Sequence, residues 1–271
     1  EAIRAKEILR FIAGLGGDTG FHFEINAALL DDETVELLSR FPKGRVQVEA
    51  GIQSAHPPTL AAVNRRVPLE DLESNIKKLV AAGSVRTHVD LIAGLPFEGW
   101  EAFGRSFDFA FSLRADTLQL GFLKLIRGTR LREEANAYGI AYLPFAPYTV
   151  LCTRHLSFAQ LNCLKEVAAL LDRTVNSGHF RHTVYYLAQR EGSAFAFFTR
   201  LADASRKRLE EGQIGDAELA RLLYDAGAGL TQERVLANLL RFDFCLRRGG
   251  AAFPPFLQDA RAKAAQKWFL R

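Results

Sequence analysis

The period of apolar and polar residues changes along this chain, and the change divides it. Residues 21–25, 45–53, 85–93 and 117–125 alternate with period two, as half-buried strands do. Between them the spacing is helical. Val35, Leu37, Leu38 and Phe41 follow an Asp31 cap. A short helix runs from Pro57-Pro58 to Asn64, and longer ones cover 69–82, 98–113 and 130–138. A first helix carries Ile3, Ile8, Leu9, Phe11 and Ile12. A whole helix between successive strands predicts parallel pairing, and hence a complete or partial (β/α) barrel.

From Pro144 onward the strand period stops. Ser157 and Gln160 form a capping box for a helix carrying Leu161, Leu164, Val167, Ala168 and Leu171. Further helices are expected over 182–189, 194–208, 216–226, 232–246 and 259–269. Arg247-Arg248-Gly249-Gly250 and Pro254-Pro255 separate the last two. The fold class is therefore α/β: a partial barrel over residues 1–143, then an all-helical accessory domain over 144–271.

Strand parity locates the chemistry. Phe21, Phe23 and Ile25 share one face, as do Val46 and Val48, and Val89, Leu91 and Ala93. The opposite faces carry His22 and Glu24, then Gln47, Glu49 and Gln53, then His88 and Asp90. Parallel strands covered on both sides read as nearly continuous apolar runs, and these do not. In a barrel the polar face lines the lumen; the alternative is an open sheet with one solvated face. Carboxylates inside a lumen are costly unless paired or bound to a ligand, so the pattern implies a site.

Composition adds bounds. The 271 residues are 48% hydrophobic and 24% charged, enough for a sizeable core. A net charge of +4 is spread thinly, with a C-terminal scatter of Arg247, Arg248, Arg261, Lys263, Lys267 and Arg271, which reads as solvated surface and not as a nucleic-acid footprint. No apolar run approaches the roughly 20 residues of a membrane span, and no signal peptide is evident, so a cytoplasmic location is expected. Cys152, Cys163 and Cys245 are odd in number and widely spaced, which argues against disulfides and a self-contained metal motif. Gly14-Leu15-Gly16-Gly17 lies between helix and strand, the reverse of a dinucleotide fingerprint, and reads as a helix-ending loop.

Gly51-Ile52-Gln53-Ser54, Leu60, Asn64-Arg65-Arg66 and Asp90-Leu91-Ile92-Ala93-Gly94-Leu95-Pro96 with Glu98 resemble the latter part of a radical S-adenosylmethionine (SAM) barrel. They are similar to the oxygen-independent coproporphyrinogen III dehydrogenase branch. His22-Phe23-Glu24-Ile25, Gln119 to Lys124 and Pro147-Tyr148 resemble cobalamin-domain radical SAM proteins with a helical C-terminal domain. The resemblance implies strands three to six of such a barrel. It implies that Gln53 and Asp90 hold the ribose hydroxyls of SAM, that Arg65 pairs with its carboxylate, that Glu24 contacts it, and that the backbone at Ile92 and Gly94 approaches the adenine. His22, Glu49, His88, Gln119 and Lys124 would face substrate. Strict alternation opposes Gln119 and Lys124, so only one points inward unless the strand is bulged; alternatively Lys124 snorkels at the strand's end.

The family also uses a 4Fe-4S cluster on three closely spaced cysteines, CxxxCxxC, which these residues lack. A chain without methionine that opens inside a helix pattern is expected to be part of a longer protein, with the cluster, and a cobalamin domain if there is one, encoded upstream. Alone, such a chain is expected to be inactive. An electron donor such as flavodoxin or ferredoxin would serve the parent, and the substrate is not legible. Two other readings stay open: a degenerate, non-catalytic nucleotide-binding barrel, and a metal-dependent hydrolase using Glu24, Glu49, His88 and Asp90.

Overall fold

Four strands form one parallel sheet in sequence order in the computed structural model, which describes residues 2–210, 214–246 and 252–259. They are β1 (Phe21–Ile25), β2 (Val46–Gln53), β3 (Arg86–Ala93) and β4 (Thr117–Phe122). Helix α1 (Ala2–Gly14) precedes β1. The crossovers carry α2 (Asp32–Ser39), α3 (Pro57–Ala62) with α4 (Leu69–Ala82), and α5 (Trp100–Ser112). Strands laid down in order, each joined by a crossover of the same hand, receive their helices on one side. Leu9 and Ile12 of α1, Val35 and Leu38 of α2, and Leu79 of α4 accordingly share one buried cluster with Val46 and Val48 of β2.

Parity holds through the two central strands. Val46, Val48, Ala50 and Ile52 are buried, as are Thr87, Val89, Leu91 and Ala93, while the intervening residues of β2 and β3 are half-buried, apart from the exposed Arg86. The helix-free face of the sheet is therefore the polar one. Asp31 caps α2, its carboxylate accepting from Thr34 N at 2.9 Å and Thr34 Oγ1 at 2.6 Å. Gly83 closes α4 in the left-handed region at φ 64°. Buried Asn75 of α4 donates from Nδ2 to Ala27 O and Leu30 O, both at 2.9 Å, which fastens the turn after β1 to the helix layer.

Three expectations are corrected beyond β3. Strand β4 ends at Phe122 and not at 125; the chain then leaves the sheet, and Lys124 bridges antiparallel to Thr149. The helix expected over 130–138 is the single turn α6 (Arg130–Glu133), because this polar segment has no apolar stripe to bury. Strand pairing also continues past Pro144: β5 (Ala141–Tyr142) pairs antiparallel with β6 (Val150–Cys152). Two or three residues are too few to display a period. The chain divides into compact units at Leu161/Asn162, where the expected boundary was 143/144, because the β6 segment pairs back onto the first unit.

The capping box is formed, with Ser157 N donating to Gln160 Oε1 at 2.9 Å and Gln160 N to Ser157 Oγ at 3.2 Å, at the start of α7 (Phe158–Leu171). The second unit holds α8 (Arg181–Glu191), α9 (Ala194–Glu210), α10 (Asp216–Gly227) and α11 (Glu233–Cys245) around buried Leu187, Phe197, Phe198, Leu223 and Leu240. Buried Asp243 of α11 caps α8, accepting from Thr183 N at 2.9 Å and Thr183 Oγ1 at 2.6 Å. It also pairs with His182 Nδ1 at 2.8 Å, which makes His182 part of that cap. The helix expected over 259–269, the 247–250 turn and the basic scatter lie outside the described residues, save Asp259. No described helix is long and apolar enough to cross a membrane.

Asn75→Leu removes the side-chain donor from Leu30 O and one of the two donors to Ala27 O, which keeps the Leu30 N–H at 3.3 Å, so it should destabilise the chain by about 1 to 3 kcal/mol in urea unfolding. A loss below about 0.5 kcal/mol would show that water replaces the amide.

Candidate functional site

Register turns the polar faces into rows. His22 stands beside Gln47, which stands beside Arg86. In the next row Glu24 is opposite Glu49, and Glu49 is opposite His88; then Gly51 is opposite Asp90, and Asp90 opposite Gln119. Two carboxylates are thus directly opposed on β1 and β2, a like-charge pairing that is destabilising unless a cation answers it. Asp90 follows one step along on β3.

These rows open into a cavity of about 330 Å³ lined by Glu24, Glu49, Gly51, Gln53, Arg65 and Asp90, with Ile25 and Asn26 at the end of β1. The lining holds three carboxylates and one guanidinium. Arg65 arrives from the turn after α3 and donates from Nη2 to Gly51 O at 2.9 Å. Gln53 donates from Nε2 to Asp90 Oδ2 at 3.0 Å.

Gly51 makes this convergence feasible. A Cβ there would lie 2.4 Å from Gln53 Nε2 and 3.1 Å from Arg65 Nη2, so any side chain would occupy the space that both groups use. Past Gly51 the β2–β3 register slips, and Gln53 takes a left-handed φ of 69°. A β-bulge re-aims the side chain of the bulged strand, and here it turns Gln53 onto Asp90.

The next residue anchors the bulge from behind. Ser54 Oγ donates to Glu98 Oε1 at 2.6 Å, and Ser106 Oγ of α5 donates to the same oxygen at 2.7 Å. Ser106 Oγ also accepts from Ala55 N at 2.9 Å. Glu98 is fully buried, and its Oε2 has no hydrogen-bond partner among the described residues. Burial pushes its carboxyl up, against the lowering effect of the two hydroxyls.

Asp90 is pushed from 3.8 up to about 6. Burial is the largest cause, and Glu49 and Glu24 add to it; Arg65 and the Gln53 hydrogen bond act in the other direction. A carboxylate this reluctant to ionise gains from any ligand that donates hydrogen bonds to it.

Of the residues singled out in the sequence, Glu24, Glu49, Gln53, Arg65 and Asp90 converge on the cavity. Ile92 lies on the same sheet face opposite Gly121, outside the lining. Gly94 is buried at φ 93°, where a Cβ would meet Val150, Leu123 and Leu161 at 3.5–3.8 Å. His22 and His88 flank Glu49, with His22 Nε2 at 3.0 Å and His88 Nδ1 at 3.7 Å from Glu49 Oε2. Gln119 sits exposed beside Asp90 on β4. Lys124 has left the strand and lines a separate cavity of about 470 Å³ with Asn64, Ile126 and Arg130. The roles of Gly51 and Asn26 were missed. A glycine inside a strand pattern signals close backbone approach, and would have pointed to Gly51; Asn26 carries no comparable signal.

Among the described residues no group of three or more His, Cys, Asp or Glu is arranged to hold a metal ion. Cys163 is buried, Cys152 and Cys245 are half-buried, and burial raises the thiols of Cys163 and Cys245. These cysteines fit packing and do not fit cluster ligation.

Residues 1–110 match the model of the radical SAM superfamily, and residues 136–270 match a family described as a protein of unknown function (DUF4080). An uncharacterized protein of Methanocaldococcus jannaschii is 25% identical over 134 residues, which is 49% of this chain and 41% of that protein. The chain thus spans under half the length of this curated relative. The structure of coproporphyrinogen III oxidase from Escherichia coli, titled as a radical SAM enzyme, aligns with a TM-score of 0.40 at 14% identity over 62% of this chain and 43% of that one. The radical SAM methyltransferase TsrM from Kitasatospora setae aligns with a TM-score of 0.46 at 16% identity, over 65% and 40%.

Two outcomes follow from this geometry. Between about pH 4 and pH 6 the native chain holds the Asp90 proton that the unfolded chain has released, so stability falls as pH rises through that window and is level above it. Asp90→Asn should remove the penalty, leaving the free protein about 2 kcal/mol more stable than wild type at pH 7 and about equal at pH 4, by urea unfolding at each pH. A pH-independent difference would contradict it. Gly51→Ala should displace Gln53 and Arg65, visible as shifted side-chain NMR resonances of both residues; unmoved resonances would mean the backbone absorbs the methyl group.

Proposed function

We propose, on the premise that residues 1–110 belong to the radical SAM superfamily, that this cavity holds S-adenosylmethionine and that the chain is the SAM-binding part of a radical SAM enzyme. The observation that carries the proposal is the convergence of Gln53, Arg65 and Asp90 around a strand position without a Cβ. Asp90 accepts from a ribose hydroxyl, and the Gln53 amide, already oriented by its bond to Asp90, can donate to and accept from the same diol. Arg65 offers a planar fork to the methionine carboxylate. Three carboxylates against one guanidinium leave the lining net negative, which suits a sulfonium cation.

When bound, the cluster would supply the electron for reductive SAM cleavage to a 5′-deoxyadenosyl radical. Its ligands are assigned outside these residues, since the three cysteines do not fit it. The residues of this chain bind and orient SAM, and buried Glu98 holds the bulge that aims Gln53. Cobalamin on a separate domain and a flavodoxin-like or ferredoxin-like donor belong to the same proposal, as does a cytoplasmic location. A second reading is a SAM-binding barrel without turnover, which would keep the same cavity. SAM binding with no 5′-deoxyadenosine formed by the full-length protein would select it.

The test is calorimetric titration of SAM into the 271-residue chain. Asp90→Ala should weaken binding by about 1.5 to 3 kcal/mol, the worth of a hydrogen bond to a charged group. Equal affinity of wild type and variant would sink the assignment.

A further inference from the structure

The second cavity, about 470 Å³, lies in the size range of small-molecule sites, roughly 300–1,000 Å³. It shares a wall with the first. The turn after α3 places Asn64, at a left-handed φ of 54°, in one cavity and Arg65 in the other. Its lining is opposite in charge: Lys124 and Arg130 contribute two cations, and no carboxylate lines it.

The cations sit on a fastened wall. Lys124 stands exposed between buried Leu123 and Leu125, and both neighbours are tied to the 148–150 segment, with Leu125 N donating to Tyr148 O and Val150 N to Leu123 O, each at 3.0 Å. Arg132 Nη1 donates to Leu125 O at 2.8 Å. Thr129 Oγ1 donates to Ile126 O at 2.7 Å and closes the turn that ends at Arg130. Arg130 reaches the opposite wall, its Nη2 donating to Ala62 O at 3.1 Å; its contact with Glu134 at 3.7 Å is solvent-exposed and weak. The backbone that carries Lys124 is thus fixed, and the Arg130 guanidinium is placed by its bond to Ala62 O. Val63, Leu131 and the 58% exposed Ile126 supply apolar surface beside them.

We infer that this cavity receives the substrate's anionic end, a carboxylate or phosphate on an apolar body, with Lys124 and Arg130 on the anion and Val63, Ile126 and Leu131 on the body. As a substrate site it rests on the SAM reading of the first cavity: the shared turn then sets the substrate next to the cofactor, anion away from the acidic pocket.

The test titrates the purified chain with octanoate, octyl phosphate, 1-octanol and inorganic phosphate, following backbone amide NMR shifts of Val63, Asn64, Ile126 and Leu131, with SAM affinity measured in parallel. An octyl anion should shift these amides and bind at least tenfold more tightly than octanol or inorganic phosphate. The double variant Lys124→Gln, Arg130→Gln should weaken it at least tenfold and leave SAM affinity unchanged. The preference between octanoate and octyl phosphate identifies the anion. Silent amides, octanol binding as tightly as the anions, or an unaffected double variant would overturn the inference. Octyl anions bound without SAM would sink the SAM reading and leave the anion site standing; SAM bound without octyl anions would sink the anion site alone.

Discussion

Three carboxylates on adjacent parallel strands face one guanidinium, and most of what distinguishes this sheet follows from that imbalance. Glu24 and Glu49 are opposed in register, Asp90 stands one step away, and the Arg65 guanidinium lies against Gly51, where a Cβ would crowd it. The repulsion is visible in Asp90, whose carboxyl is pushed to about 6 by burial and by its acidic neighbours. A free protein carries this as a stability cost. A ligand that brings hydroxyl donors and positive charge would relieve it, and that relief would add to its affinity.

Such an arrangement works only if the strand ends do not relax away from one another. The Ser54, Glu98 and Ser106 cluster meets that need with an acid hidden from water, joining the end of β2, the loop after β3 and α5 at a single oxygen. Gln53 is thereby trapped between a bulge that turns it and a buried network that holds the next residue. The wall around Lys124 follows the same logic with backbone bonds to the 148–150 segment in place of side-chain ones. Candidate residues stand at strand ends and in the loops beside them, and rigidity comes from elements packed behind them.

Much of the fold was legible because its signals are local or periodic. Parity assigned buried and polar faces to β2 and β3 correctly, the Asp31 cap and the Ser157/Gln160 box formed as expected, and α4 spans the predicted residues. The failures share a cause. Strands β5 and β6 are too short to show a period, and residues 130–138 are polar enough to suit helix or loop, so their structure is decided by partners distant in sequence.

The same line divides the site. Sequence by itself determined which side chains lie on the helix-free face, since alternation is a property of the strand backbone, and it thereby grouped Glu24, Glu49, Gln53 and Asp90. Tertiary structure alone decided how they meet. The register slip after Gly51, the left-handed Gln53, the reach of Arg65 into the space of an absent Cβ, and the departure of Lys124 to a second cavity each depend on contacts between segments far apart in the chain, which no local period encodes.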